Sequence, residues 1–244
     1  IRFAVRFGFR IEPKTWEAIL RDAPRLAIVS RERIRDEFAK ILLSDRPADG
    51  LQLLDESGLL RQFAPEFLQM KGLIQVGAHE SDVWEHTLEA LRSLPRQADL
   101  VLRLAVLFHD VGKPKTRTHD PDVRTHFTGH EDRGAEIAAR VMRRLRFPLS
   151  ETNRVRLLIS MHMRIGEYRR EWGDSAVRRL MKEAGSDMVD LLGLARADVR
   201  GYGPTADLSG LDDLSSRIEH ILIKTPVEVL ESPLDGNEIM SLLG

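Results

Sequence analysis

Leu102-Arg103-Leu104-Ala105-Val106-Leu107-Phe108-His109-Asp110-Val111-Gly112-Lys113-Pro114 is the stretch on which the reading of this chain turns. Its first seven residues are apolar apart from Arg103, which predicts a buried helix, and at the end of that helix an imidazole and a carboxylate stand side by side. An ionised carboxylate emerging from an apolar wall is costly unless something compensates it, and a bound cation is one such compensation. Successive residues of a helix point about 100° apart, so His109 and Asp110 can reach one ion only near a helix end, with the remaining ligands coming from other helices.

Outward from this pair the sequence reads as helix. Ile34, Phe38, Ile41 and Leu42 recur at helical spacing, and Pro47 opens a second helix carrying Leu51, Leu53 and Leu54 before Gly58 closes it. Further helices are expected near 83–93, 98–111, 131–145, 150–162, 174–184, 186–199 and 210–224, with Ser150 and Asp174 as N-caps and Gly185 as a stop. No sustained two-residue alternation bounded by hairpin turns interrupts them, so the expected class is all-α. Lys71-Gly72 and Gly77 break the helical run and divide residues 1–72, a small bundle, from residues 73–244, a larger one.

Composition narrows the chemistry. The 244 residues are 42% hydrophobic and 31% charged, with 37 Lys+Arg against 38 Asp+Glu, the balance of a globular chain rather than a disordered or fibrous one. The absence of cysteine excludes disulfides, thiol nucleophiles and Cys-ligated metal, leaving histidine and carboxylates as the metal ligands. The longest apolar run, 100–108, is broken by Arg103 and falls far short of the roughly 20 residues that span a bilayer. Arginines at 2, 6 and 10 exclude a signal-peptide core at the start, so no membrane partner and a cytoplasmic location are expected. Opening at Ile1 in the middle of a periodic pattern, the sequence reads as a piece of a longer chain.

Near-neutral net charge hides a partition. Residues 140–182 hold 12 basic side chains against 4 acidic, and residues 1–46 hold 11 against 7. Guanidinium groups bind phosphate oxygens in pairs, but from charge alone a solvated helix face is the better explanation of such a run.

Four more residues share the context of the central pair. His86 lies between Val83 and Leu88, His130 opens a helix after Gly129, His162 follows Leu157, Leu158 and Ile159, and Asp198 lies on the run Leu194-Ala195-Arg196-Ala197. Singly, each is more often a hydrogen-bonded core group than a ligand. Five helices each presenting His or Asp from apolar surroundings is what an imidazole–carboxylate metal site in a bundle requires. By contrast, His79, His119, His126 and His220 are expected in loops or on the surface, and Trp16, Trp84 and Trp172 as packing aromatics.

The order His86, His109-Asp110, Asp198, with Gly112-Lys113 after the doublet, resembles the HD superfamily of metal-dependent phosphohydrolases. That resemblance implies an HD-type helical domain in which His86, His109, Asp110 and Asp198 hold a divalent ion. It also implies a second ion on His130 and His162, a catalytic role for Asp110, and a substrate-phosphate contact for Lys113. Magnesium, manganese, nickel, cobalt, iron and zinc all suit such a donor set, and the implied substrate is a phosphate ester or nucleotide.

The flanks carry a second resemblance. Arg2-Phe3-Ala4-Val5-Arg6-Phe7-Gly8-Phe9, then Arg31-Glu32-Arg33-Ile34-Arg35-Asp36-Glu37, residues 47–60, residues 172–179 and Leu234-Asp235-Gly236-Asn237-Glu238-Ile239-Met240 are similar to bacterial tRNA nucleotidyltransferases and poly(A) polymerases. Residues 1–72 then correspond to that family's helical neck and body, which positions tRNA. Arg140, Arg143 and Arg144 are thereby implied to contact tRNA or other RNA phosphates. The family's nucleotide-adding head, a glycine-serine motif and paired aspartates on a sheet, is not among these residues, so nucleotide addition is not expected from this chain alone. Two other readings stand beside the hydrolase: a catalytically silent tRNA-binding body, and a freestanding HD phosphohydrolase of small nucleotides.

Overall fold

The computed structural model describes residues 1–75, 81–120 and 123–224. Gly77, His79, Asp122 and the stretch Leu234–Met240 lie outside the described residues. Helices account for nearly all of the regular structure. The N-terminal part contains α1 (Arg2–Phe7), α2 (Pro13–Asp22), α3 (Arg31–Leu42), α4 (Pro47–Glu56) and α5 (Leu59–Phe63). After the turn Pro65–Met70 come α6 (Val83–Ser93), α7 (Leu100–Phe108), the single turn α8 (Lys113–Thr116), α9 (His130–Arg144), α10 (Leu149–Gly166), α11 (Asp174–Ala184), α12 (Met188–Arg200) and α13 (Ser209–Lys224).

Apolar periodicity explains why these segments pack. Ile34, Phe38, Ile41 and Leu42 of α3 turn inward, as do Ala48, Leu51 and Leu54 of α4. Every residue of α7 after Leu100 is buried, which makes it the central rod of the larger bundle, with α6, α9, α10 and α12 packed around it. The buried apolar core runs without interruption from Ile34 to Ile221. Arg103, the exception in the α7 run, is buried too. It donates to the carbonyls of Ala98, Leu42, Ser44 and Arg96 at 2.6–2.9 Å, so its charge is hydrogen-bonded without a carboxylate and ties the end of α3 to α7.

Some local expectations are corrected. Helix α10 starts one residue before Ser150, directly after Pro148, and Ser150 is exposed. Asp174 lies inside the first turn of α11, where its carboxylate accepts from Arg217 at 2.9 Å instead of capping. Gly185, with φ +53, does end α11. Two short antiparallel ribbons are also present, β1 (Ile74–Gln75) with β2 (Ser81–Asp82) and β3 (Thr118–Asp120) with β4 (Val123–His126). Strands of two to four residues are too short to print an alternating pattern on the sequence. Of the three tryptophans, Trp84 is in the core, while Trp16 and Trp172 are half-buried.

Candidate metal centre

Helix ends and one mid-helix position bring six side chains together. His86 lies in α6, whose first turn is capped by the Asp82 carboxylate accepting from the Glu85 N–H at 2.8 Å. His109 ends α7, Asp110 follows it, His130 opens α9, His162 lies late in α10 and Asp198 late in α12. Gly112 permits the arrangement. A Cβ there would lie 2.0 Å from the His130 carbonyl oxygen and 2.7 Å from the Gly134 nitrogen, so only glycine lets the turn after Asp110 press against the start of α9.

Asp110 stands between two pairs of imidazoles. One carboxylate oxygen, Oδ2, is 3.3 Å from His109 Nε2 and 3.9 Å from His86 Nε2, while Oδ1 is 3.4 Å from His130 Nε2. Asp198 Oδ1 closes the first pair, 3.0 Å from His86 Nε2 and 3.5 Å from His109 Nε2. Ligating atoms of His86, His109 and Asp110 all lie within 4.8 Å of one another, and so do those of Asp110, His130 and His162. Asp110 therefore belongs to both groups. Asp198 is the most open of the six, with a side chain 30% exposed towards the cleft.

Three of the rings are held in one tautomer. Nδ1 of His109, His130 and His162 lies 2.7, 2.9 and 2.6 Å from the carbonyl three residues earlier, Val106, Phe127 and Ile159. A carbonyl only accepts, so each Nδ1 carries a proton; Nε2 of His130 and of His162, whose charged forms burial disfavours, presents a lone pair, while the carboxylates beside His109 draw a proton or a cation to its Nε2. His130 Nε2 and His162 Nε2 nevertheless lie 3.2 Å apart, a pairing that two lone pairs satisfy only through a shared cation or proton. Among the described residues, His109 Nε2 and His86 Nδ1 are buried side-chain atoms without a hydrogen-bond partner. The orphaned His109 Nε2, converging with Nε2 of His86 and of His130 on the buried Asp110 carboxylate, fits a divalent cation of the borderline-to-hard class, and backbone carbonyls that fix the ring through its other nitrogen are the usual support of a histidine ligand.

The electrostatics run the same way. Burial alone would raise the Asp110 carboxyl, but His109 and Lys113 hold it well below the usual carboxylate range. Burial likewise opposes the charged form of His109, and the two carboxylates overcome it, pushing its pKa up to about 10. His162, buried and beside His109, is pushed down to about 4, and His130 is lowered by burial against the pull of Asp110. The pocket thus draws positive charge to its His109 side. Lys113, itself almost buried, donates to Asp110 Oδ2 at 2.6 Å.

A cleft of about 780 Å³ opens over the site, walled by Asp110, Lys113, His130, His162, Asp198 and Tyr202, whereas His86 and His109 lie fully buried beneath it. Tyr202 escapes notice in the sequence. Its ring packs against His86 with centroids 4.4 Å apart, and only its place just after the helix bearing Asp198 hints at this.

The three arginines read as RNA contacts are placed differently from one another. Arg140 and Arg143 are exposed on α9. Arg144 is engaged within the fold, with two nitrogens on the Glu66 carboxylate at 2.8 and 2.7 Å and on the Phe63 carbonyl at 3.2 and 2.9 Å. His126 and His220 are exposed, as expected of surface residues.

Comparison with known proteins gives two family matches. Residues 8–70 match a model described as the probable RNA and SrmB binding site of polymerase A, and residues 76–197 match the HD domain. Among curated relatives, the CC-adding tRNA nucleotidyltransferase of Thermus thermophilus is 41% identical over all of this chain and 56% of its own length. The A-adding tRNA nucleotidyltransferase of Deinococcus radiodurans is 36% identical over all of this chain and 58% of its own. The multifunctional CCA protein of Alkalilimnicola ehrlichii is 35% identical over 66% of this chain. The chain spans a little over half the length of the first two relatives.

Proposed function

This chain belongs to the HD-domain family and ahead of that domain matches the probable RNA and SrmB binding site of polymerase A, and from that premise we propose that it is a metal-dependent phosphohydrolase joined to a tRNA-binding body. Residues 1–72 form the body and residues 73–244 the HD unit. The substrate is a phosphate ester or 2′,3′-cyclic phosphate, at an RNA 3′ end or on a nucleotide. Within a complete protein resembling the relatives, the same body presents the tRNA 3′ end for CCA addition or repair. A cytoplasmic location accords with that work, and no described helix is long and apolar enough to cross a membrane.

The observation that carries the reading is the sharing of Asp110 between two imidazole groups, with His130 and His162 facing each other at 3.2 Å. His86, His109, Asp110 and Asp198 would hold one divalent ion, and Asp110, His130 and His162 a second. When bound, such an ion supplies Lewis-acid polarisation of a phosphoryl oxygen. Asp110 fixes the spacing of the two groups through its two oxygens. Its partner Lys113, in the cleft wall, contributes a positive charge to the substrate phosphate. The carbonyls of Val106, Phe127 and Ile159 keep three rings aimed inward.

Asp110→Ala tests this reading. Metal-dependent hydrolysis of a phosphodiester should disappear, and unchanged turnover would refute the assignment. A second reading, RNA binding without hydrolysis, is favoured by the polymerase A match together with the exposed Arg140 and Arg143. It predicts tRNA affinity that falls linearly with salt on a log–log plot. Binding that ignores salt would count against it.

A further inference from the structure

His86 lacks the support the other three histidines share. The carbonyl three residues before it, that of Val83, accepts the Thr87 hydroxyl at 2.8 Å, and His86 Nδ1 is buried with no partner. The ring is met instead by the end of α12. Tyr202 packs against it as a tilted ring, with centroids 4.4 Å apart and planes at 47°. The bare α-carbon of Gly201 lies so close that a Cβ there would be 2.6 Å from His86 Cε1 and 2.7 Å from Nδ1. On the ring's other side, Nε2 faces Asp198 Oδ1 at 3.0 Å. One helix end therefore supplies a carboxylate, a bare stretch of backbone and an aromatic face to a single imidazole.

We propose that Gly201 and Tyr202 are positioning residues for His86, a clamp that fixes its imidazole with Nε2 aimed at the cation site in place of the missing backbone hydrogen bond. The inference rests on the metal reading above. It makes the His86 side of the centre depend on α12 twice, once through Asp198 and once through the clamp. The flat ring of Tyr202 does the work, since its hydroxyl makes no hydrogen bond to His86.

Partners that hold a ligand in place change metal affinity by about 10–100-fold when removed. The test titrates Mn²⁺, and in parallel Zn²⁺ against a chelator, into the 244-residue chain, with the free ion followed directly and the melting temperature of each metal-free variant measured. Tyr202→Phe keeps the ring and should bind as the parent does. Tyr202→Leu keeps apolar bulk but loses the flat face, and should lose about tenfold or more in affinity for one ion while the His130–His162 group is unchanged. Gly201→Ala should do the same by displacing the ring, and if that variant fails to fold the decision rests on the two Tyr202 variants. Leucine binding as tightly as tyrosine would overturn the clamp, and so would phenylalanine binding as weakly as leucine. A parent chain that holds neither ion would overturn the metal reading itself and the clamp with it, a result distinguishable from failure of the clamp alone.

Discussion

Nε2 of His130 and Nε2 of His162 face each other at 3.2 Å, on rings whose Nδ1 atoms both donate to backbone carbonyls. Two neutral imidazoles so oriented present lone pair to lone pair. A cation between them and Asp110 turns that repulsion into ligation. His162→Ala should therefore remove one ion per chain and leave the His86–His109 group loaded. Asp110→Ala, which strips a ligand from both groups, should weaken both by more than about 100-fold, since losing only an outer partner costs 10–100-fold. Metal content of the dialysed variants checks this, and equal loss from both substitutions would contradict separate groups.

The helices that carry the site were legible because each ligand is embedded in apolar residues at helical spacing, as His162 is after Leu157, Leu158 and Ile159. The joining of His86 to Asp198 was legible only through a family resemblance, because nothing local in either helix specifies a partner so far along the chain. The same physics hid the engagement of Arg144, whose partner Glu66 is 78 residues away, and the packing of Tyr202 against His86. The capping positions lie two residues earlier at α10 and one earlier at α11, where Pro148 and Gly173, not Ser150 and Asp174, occupy them.

Gly112 is set by its neighbours across the fold rather than by its own backbone angles. Gly112→Ala would put a methyl 2.0 Å from the His130 carbonyl oxygen, backbone that cannot swing aside. The expected destabilisation is about 3 kcal/mol, the upper end of the over-packing range. Chemical denaturation measures it, and a loss well under 1 kcal/mol would mean that α8 and α9 separate easily.

The exposed and the engaged arginines of α9 should part company in RNA binding. Arg140→Ala and Arg143→Ala should each lower the slope of log affinity against log salt by about 1, weakening tRNA binding without regard to its sequence. Arg144→Ala should change that slope little and reduce stability instead, because its guanidinium is bound to Glu66 and Phe63. Filter binding across a salt series, run beside thermal melts, separates the two effects.

Acid should loosen the same contact. Burial would raise Glu66, but the Arg144 ion pair outweighs it and holds the carboxyl below its ordinary value. The pair therefore stabilises the fold fully above the unfolded-state pKa of about 4.3, and that contribution is lost as pH falls through the folded value. Both side chains are partly exposed, so about 1 kcal/mol is expected from a double-mutant cycle of Glu66→Gln and Arg144→Met at pH 7. The coupling should vanish near pH 2, and a coupling that persists there would show the contact to be apolar packing.

The most direct test of the central claim is elemental analysis of the purified chain after loosely bound ions are removed, paired with hydrolysis of a generic phosphodiester under added manganese, nickel or magnesium. The predicted result is two tightly held ions per chain, with turnover that Asp110→Ala abolishes. A chain that holds no ion and turns nothing over would contradict it, leaving the converging histidines as a structural core and the protein as an RNA-binding body alone.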